Sequence, residues 1–177
     1  MPKVKENIYA FIDSQNLNLS VQKDVYDKKT GDQIFKGWKL DFKRFNVYLR
    51  GKFNVRVAFL FIGSIKGNQK LYDYLSAAGY KLIFKPTLEY NGRGGKKIKG
   101  NVDAELVLYS MIEYPNYDKA IIVAGDGDYY CLLEYLEAQN KLYKILVPNK
   151  YSYSSLLRKF IPYMVYVSEL KNELEGK

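Results

Sequence analysis

Short apolar runs alternate with stretches of helical periodicity along most of the chain. Residues 7–13 (Asn-Ile-Tyr-Ala-Phe-Ile-Asp) form a nearly continuous apolar run ending in an acid, the pattern of a strand buried on both faces. Residues 23–39 are polar, carry the turn signal Lys28-Lys29-Thr30-Gly31-Asp32, and predict a loop or small hairpin. Phe42, Phe45 and Leu49 stand at helical spacing, with Gly51 placed to close that helix. Residues 55–62 read as the next strand. Leu71, Leu75 and Ala78 mark a helix ended by Gly79, and residues 80–85 follow as a short strand.

A glycine-rich basic stretch over 91–101 then predicts a loop. It leads into a helix over about 102–112, whose apolar stripe is Ala104, Val107, Leu108 and Met111. Residues 120–124 (Ala-Ile-Ile-Val-Ala) are the clearest buried strand. They pass through Gly125-Asp126-Gly127-Asp128 into a helix with Tyr129, Leu132, Leu133 and Leu136 on one face. Residues 142–147 give a further strand, and the tail predicts a short helix, a strand near 164–167 and a last polar helix over 168–177. No repeat, linker or low-complexity segment interrupts this, so one domain is expected over 1–177, with its core at about 7–167. Strands alternating with helices imply an α/β fold, its mostly parallel sheet covered on both faces. Such sheets bind ligands outside the carboxyl ends of their strands.

Composition removes several chemistries. With 177 residues, 47% of them hydrophobic, the chain suits one sizeable core. No run approaches the roughly 20 apolar residues of a membrane span, so no membrane partner is expected. The N-terminus turns directly into a strand-like run and is expected to leave no room for a signal peptide. Cys131 is the only cysteine, which rules out an intramolecular disulfide and points to the cytoplasm. There is no histidine. That excludes Ser-His-Asp and Cys-His sites, histidine bases and most zinc sites. Chemistry must come from Asp, Glu, Lys, Ser, Thr or Tyr, or from a metal with oxygen ligands.

The net charge of +9 favours a polyanionic partner, although solubility explains such a surplus equally well. Its distribution is more telling. Residues 91–101 hold Arg93, Lys96, Lys97 and Lys99 with no acid, and residues 139–161 hold five cations with no acid.

The acids converge on one edge. Asp13 ends the first strand, and Asp126 and Asp128 follow the strand 120–124, so all three belong at the carboxyl edge. Asp103 lies in the first turn of the helix after the basic stretch, whose N-terminus can face the same edge. Gathered carboxylates repel, and relief comes from raised pKa values or a bound cation. Oxygen-only ligands suit Mg²⁺ or Mn²⁺. Each acid alone is better explained as a helix cap or a partner of a helix dipole. Two acids astride a glycine are harder to explain that way, because one cap needs one acid.

Three segments carry a resemblance. Phe11-Ile12-Asp13-Ser14-Gln15-Asn16-Leu17 resembles the Phe-Ile-Asp-x-x-Asn opening of NYN domains, the LabA-like branch of the PIN-like nuclease superfamily. Lys99-Gly100-Asn101-Val102-Asp103 resembles that family's Lys-Gly-x-Val-Asp segment, and Val123-Ala124-Gly125-Asp126-Gly127-Asp128-Tyr129 its Ser-Gly-Asp-x-Asp-Phe motif. The resemblance implies a PIN-like three-layer α/β/α fold with a Mg²⁺ or Mn²⁺ site that cleaves RNA. It makes Asp13, Asp103, Asp126 and Asp128 direct or water-mediated metal ligands. Asn16 would orient a water, a ligand or a phosphate.

The chain departs from the family pattern in places. Ala124 replaces a serine beside the metal, and Tyr109 stands where many members carry a second acid. Glu105 is a poor substitute, about 200° around an ideal helix from Asp103. The lost acid favours one tightly bound ion. Tyr129 and Cys131 replace the common Phe and Pro, an exchange expected to be benign. Arg93, Lys96, Lys97 and Lys99 become phosphate contacts, with glycines allowing close approach to RNA; a solvated surface loop is the equal alternative.

Three function classes stand: a metal-dependent ribonuclease, which is favoured, an RNA-binding module of the same fold with little activity, and a phosphatase. The sequence leaves the natural RNA open, and whether the protein is a homo-oligomer.

Overall fold

The alternating pattern folds as a βα array. A computed structural model describes residues 6–86, 88–92, 95–99 and 102–176, with 88–92 and 95–99 described by backbone alone. The chain runs β1 (Ile8–Asp13), α1 (Ser14–Gln22) and a small hairpin of β2 (Val25–Tyr26) and β3 (Gln33–Phe35). It continues through α2 (Phe42–Phe53), β4 (Val55–Ser64), α3 (Gln69–Ala77) and β5 (Lys81–Pro86). A second hairpin of β6 (Leu88–Gly92) and β7 (Gly95–Lys99) precedes α4 (Asp103–Ile112) and β8 (Lys119–Val123). Then come α5 (Tyr130–Ala138), β9 (Leu142–Val147), a 3-10 segment Ser155–Tyr163, β10 (Met164–Tyr166) and α6 (Lys171–Leu174).

Six strands make one parallel sheet in the order β10-β9-β8-β1-β4-β5. From β1 the chain first winds outward through β4 to β5, then returns to the other flank of β1 and winds through β8 and β9 to β10. The order therefore reverses between β1 and β8, and in such sheets ligands bind beyond the carboxyl ends of the strands at that point.

Alternation within β1 separates two cores. Ala10 and Ile12 face α1 and α2 with Leu17, Val21, Phe45 and Leu49. Phe11 faces the other way, toward Leu106 of α4 and Leu132, Leu133 and Leu136 of α5. Fully burying a Leu, Ile or Phe side chain contributes about 1.5–3 kcal/mol, so both helical layers are held firmly to the sheet. Among the described residues no helix is long and apolar enough to cross a membrane.

Several expectations change. Gly51 does not close α2; the helix runs on to Phe53 and stops at Asn54, whose φ of 56° is left-handed. Leu71 of α3 is 42% exposed, and Tyr72 and Leu75 take the buried face instead. The stripe on α4 is also displaced. Leu106 and Ser110 are buried while Leu108 and Met111 are exposed, because the face of α4 that meets β1 follows from where Val102 enters the core. The basic stretch expected as a loop is largely the hairpin β6–β7. The last helix, expected to be polar, is short and buries Leu174 in the first core.

Candidate metal centre

The site is assembled from three backbone turns. Asp13, 5% exposed, ends β1 and caps α1: its Oδ1 accepts the Asn16 backbone N–H at 2.9 Å. At the exit of β8 the Asn16 side-chain Oδ1 accepts the N–H of Gly125 at 2.9 Å, tying α1 to the loop that carries the next two acids. Gly127 packs closely on Ser154: an added Cβ would lie 2.5 Å from Ser154 Oγ and 3.2 Å from Ser154 Cβ, so Ser154 would have to shift. Asp126 accepts the Asp128 N–H at 3.1 Å and so starts the 3-10 turn Gly127–Tyr129 that leads into α5. Asp103 opens α4, where an acid also suits the helix dipole.

These turns bring Asp103, Asp126 and Asp128 together, with one carboxylate oxygen from each lying within 4.8 Å of the others. Asp13 lies beside that group of three and is joined to it through Tyr129. Its carboxylate meets the Asn16 N–H at the α1 N-terminus and the phenol of Tyr129. The Tyr129 oxygen lies 3.0 Å from Asp13 Oδ2 and 2.6 Å from Asp103 Oδ1, so it joins the buried acid to the group of three.

Electrostatics follow from this packing. Repulsion from Asp126, then from Asp103, pushes the Asp128 carboxyl above its ordinary range. Desolvation is the chief cause of the rise at Asp13, opposed by its bonds to Asn16 and Tyr129. Burial, then the two neighbouring carboxylates, raise the Tyr129 phenol far up, so it keeps its hydrogen and acts as a donor. The exchange of Phe for Tyr at 129 is therefore not benign. Sequence reasoning missed its role because the motif places Tyr129 beside Asp128, while its ring reaches across to β1 and α4. Its hydroxyl on an otherwise buried ring, next to the acids, was the only available signal.

The other expected residues fall as follows. Asn16 bonds the Gly125 backbone, a positioning contact. Tyr109 turns its ring edge-on to Phe61 at 5.9 Å and supplies no acid. Ala124 is buried in the second core. Glu105 pairs with Lys85 of β5 at 2.9 Å. Lys96, Lys97 and Lys99 lie on β7, and Arg93 falls outside the described residues. In the acid-free stretch 139–161, tertiary contacts return the missing acids. Lys159 meets Glu134 at 2.9 Å and Lys150 meets Glu169, while Lys141 sits 4.1 Å over the Tyr114 ring and bonds the carbonyls of Tyr114 and Tyr117.

The donor set fits a hard divalent cation. It is all oxygen, and the repulsion that raises Asp128 is what a cation would relieve.

A family profile for the NYN domain matches residues 7–167. None of the curated proteins searched matches the chain. Among solved structures, a Vibrio parahaemolyticus protein of unknown function, VPA0982, is similar. It is 21% identical, with a TM-score of 0.70 over 94% of this chain and 96% of that one, a likeness of fold.

Proposed function

The chain belongs to the NYN domain family, a nuclease family of PIN-like fold, and from that premise we propose that it is a metal-dependent ribonuclease. The observation that carries the reading is the group Asp103, Asp126 and Asp128 at the sheet's switch point, three carboxylates with oxygens within 4.8 Å. These three would hold Mg²⁺ or Mn²⁺, which supplies charge neutralisation at the phosphoryl group and easier deprotonation of the attacking water. The chain's own part is to aim the carboxylates. Asn16 fixes Gly125 and hence the loop bearing Asp126 and Asp128, while Tyr129 links Asp13, capping α1, to Asp103. Lys96, Lys97 and Lys99, with Arg93, are assigned to the phosphates of the RNA strand. The motifs fit the LabA-like branch, and the lone cysteine fits a reducing cytoplasmic setting.

One observation favours the second reading, an RNA-binding module with little activity: Tyr109 and Ala124 place a packed ring and a methyl where the family pattern has polar groups. Purified protein incubated with single-stranded RNA, with and without Mn²⁺, separates the two. The ribonuclease reading expects Mn²⁺-dependent cleavage that Asp126→Asn abolishes, with the unfolding midpoint unchanged or raised, since a repelling charge is lost and the cap oxygen kept. Metal-independent cleavage, or cleavage that survives this substitution, would refute it.

A further inference from the structure

The carboxyl edge carries a second feature on the α1 side of β1. A cleft of about 740 Å³ opens between α1, the start of α2 and α3, inside the roughly 300–1,000 Å³ of small-ligand sites. Ser14, Gln15, Asn18, Leu19 and Gln22 line it, one face of α1 that starts immediately after Asp13 and extends about 12 Å along the axis. Across from them stand Leu71 and Tyr74 of α3, each 42% exposed, over a floor of buried Leu40 and Leu75. The Tyr74 ring is fixed, since its hydroxyl donates to Asp41 at 3.1 Å and accepts from the Lys43 N–H at 3.3 Å.

Polar groups in the cleft divide into two kinds. Gln22 and Asn18 satisfy each other at 2.8 Å. Gln15 and Asn68 do not: neither side-chain amide has a hydrogen bond to another described residue. Asn68 stands at the N-cap of α3, where its side chain would ordinarily bond the first turn, and makes no such bond. Lys39 lines the cleft and forms no ion pair among the described residues.

Apolar walls with a rigid aromatic ring suit a flat ring system. Two amides, each offering a donor and an acceptor, suit the hydrogen-bonding edge of a heterocycle, and a lysine in the same cleft suits an attached phosphate. A purely aliphatic ligand would bury both amides without partners. We propose that the cleft receives a nucleobase of the RNA strand lying across the acidic site, stacked against Tyr74 and Leu71 with its edge read by Gln15 and Asn68. The choice of RNA rests on the ribonuclease reading. The cleft adds base selection next to a site that by itself addresses only the phosphodiester.

The test uses the full chain in chelator, so that nothing is cut. Fluorescence anisotropy compares labelled eight-nucleotide oligouridylate and oligoadenylate with an abasic strand carrying the same phosphates. Base stacking predicts that the abasic strand binds at least about fivefold more weakly. Leu71→Trp, which fills the cleft from an exposed position, should reduce the affinity of base-bearing strands to that of the abasic one. Leu19→Trp, from the opposite wall at another exposed site, should do the same, and agreement of the two guards against a folding fault in either. Asn68→Ala should narrow the difference between the two homopolymers. Equal binding of abasic and base-bearing strands, or unchanged affinity in both tryptophan variants, would overturn the assignment. Mn²⁺-dependent cleavage without base-dependent binding would sink the cleft and leave the ribonuclease reading. Base-dependent binding without cleavage would do the reverse, and no binding of any strand in chelator would overturn the cleft, leaving the ribonuclease reading to the Mn²⁺ cleavage assay.

Discussion

Tyr129→Phe removes one oxygen and keeps a fully buried ring in place, so it isolates the hydroxyl that joins Asp13 to Asp103. The lost contacts are O···O distances of 2.6 and 3.0 Å to two carboxyl groups, one of them only 5% exposed. A phenol has one hydrogen, so one charge-assisted bond is counted, worth about 1.5–3 kcal/mol. For a chain of this length the unfolding midpoint should fall by roughly 3–12 °C at pH 7. Tyr130→Phe is the internal control. Its hydroxyl also donates to a carboxylate, Glu134 at 3.1 Å, but at the surface, where the loss should stay below about 1 kcal/mol. Both variants are melted by circular dichroism in chelator, so that no cation holds Asp103. A Mn²⁺ titration of the midpoint then follows, and Tyr129→Phe should need more Mn²⁺ for the same stabilisation because Asp103 is less firmly held. A Tyr129→Phe midpoint within a degree of the unsubstituted protein, or a loss no larger than that of Tyr130→Phe, would refute the bridging role.

Two further outcomes are expected. Replacing Lys96, Lys97 and Lys99 together with alanine should flatten the slope of log K against log salt for single-stranded RNA by about 2 units and weaken unrelated sequences alike; an unchanged slope moves the phosphate contacts elsewhere. Asp128→Asn bears on pH. The folded carboxyl is raised above its ordinary 3.8 by Asp126 and Asp103, so ionisation costs stability at neutral pH and protonation restores it as pH falls through the raised value. In chelator the variant should therefore melt at the same or higher temperature at pH 7, with any gain vanishing toward pH 3. A gain that grows as the solution is acidified contradicts the repulsion.

Much of the architecture was legible in the chain. Residues 7–13, 55–62, 120–124 and 142–147 are apolar because parallel strands are covered on both faces, and that requirement is local enough to show in a short window. The acids of the site were legible for the same reason. A strand's last residue lies at its carboxyl edge whatever the partners, so Asp13, Asp126 and Asp128 had to share that edge once the sheet was parallel. The absence of histidine had already confined any metal site to mainly oxygen ligands.

What depends on orientation between elements was decided only by the tertiary structure. α4 is apolar almost all round, so its periodicity offered several faces, and the approach of Val102 and Leu106 to Phe11 chose one while leaving Leu108 outside. The link from Asp13 to Asp103 runs through the Tyr129 hydroxyl, whose partners lie 116 and 26 residues away in sequence. The acid-free stretch 139–161 gains its counter-charges from Glu134, Glu137 and Glu169 outside it. Hydrophobic pattern is a property of neighbours along the chain and survives translation into sequence. Side-chain hydrogen bonds and ion pairs act over about 3 Å between distant segments, and folding alone sets which segments come that close.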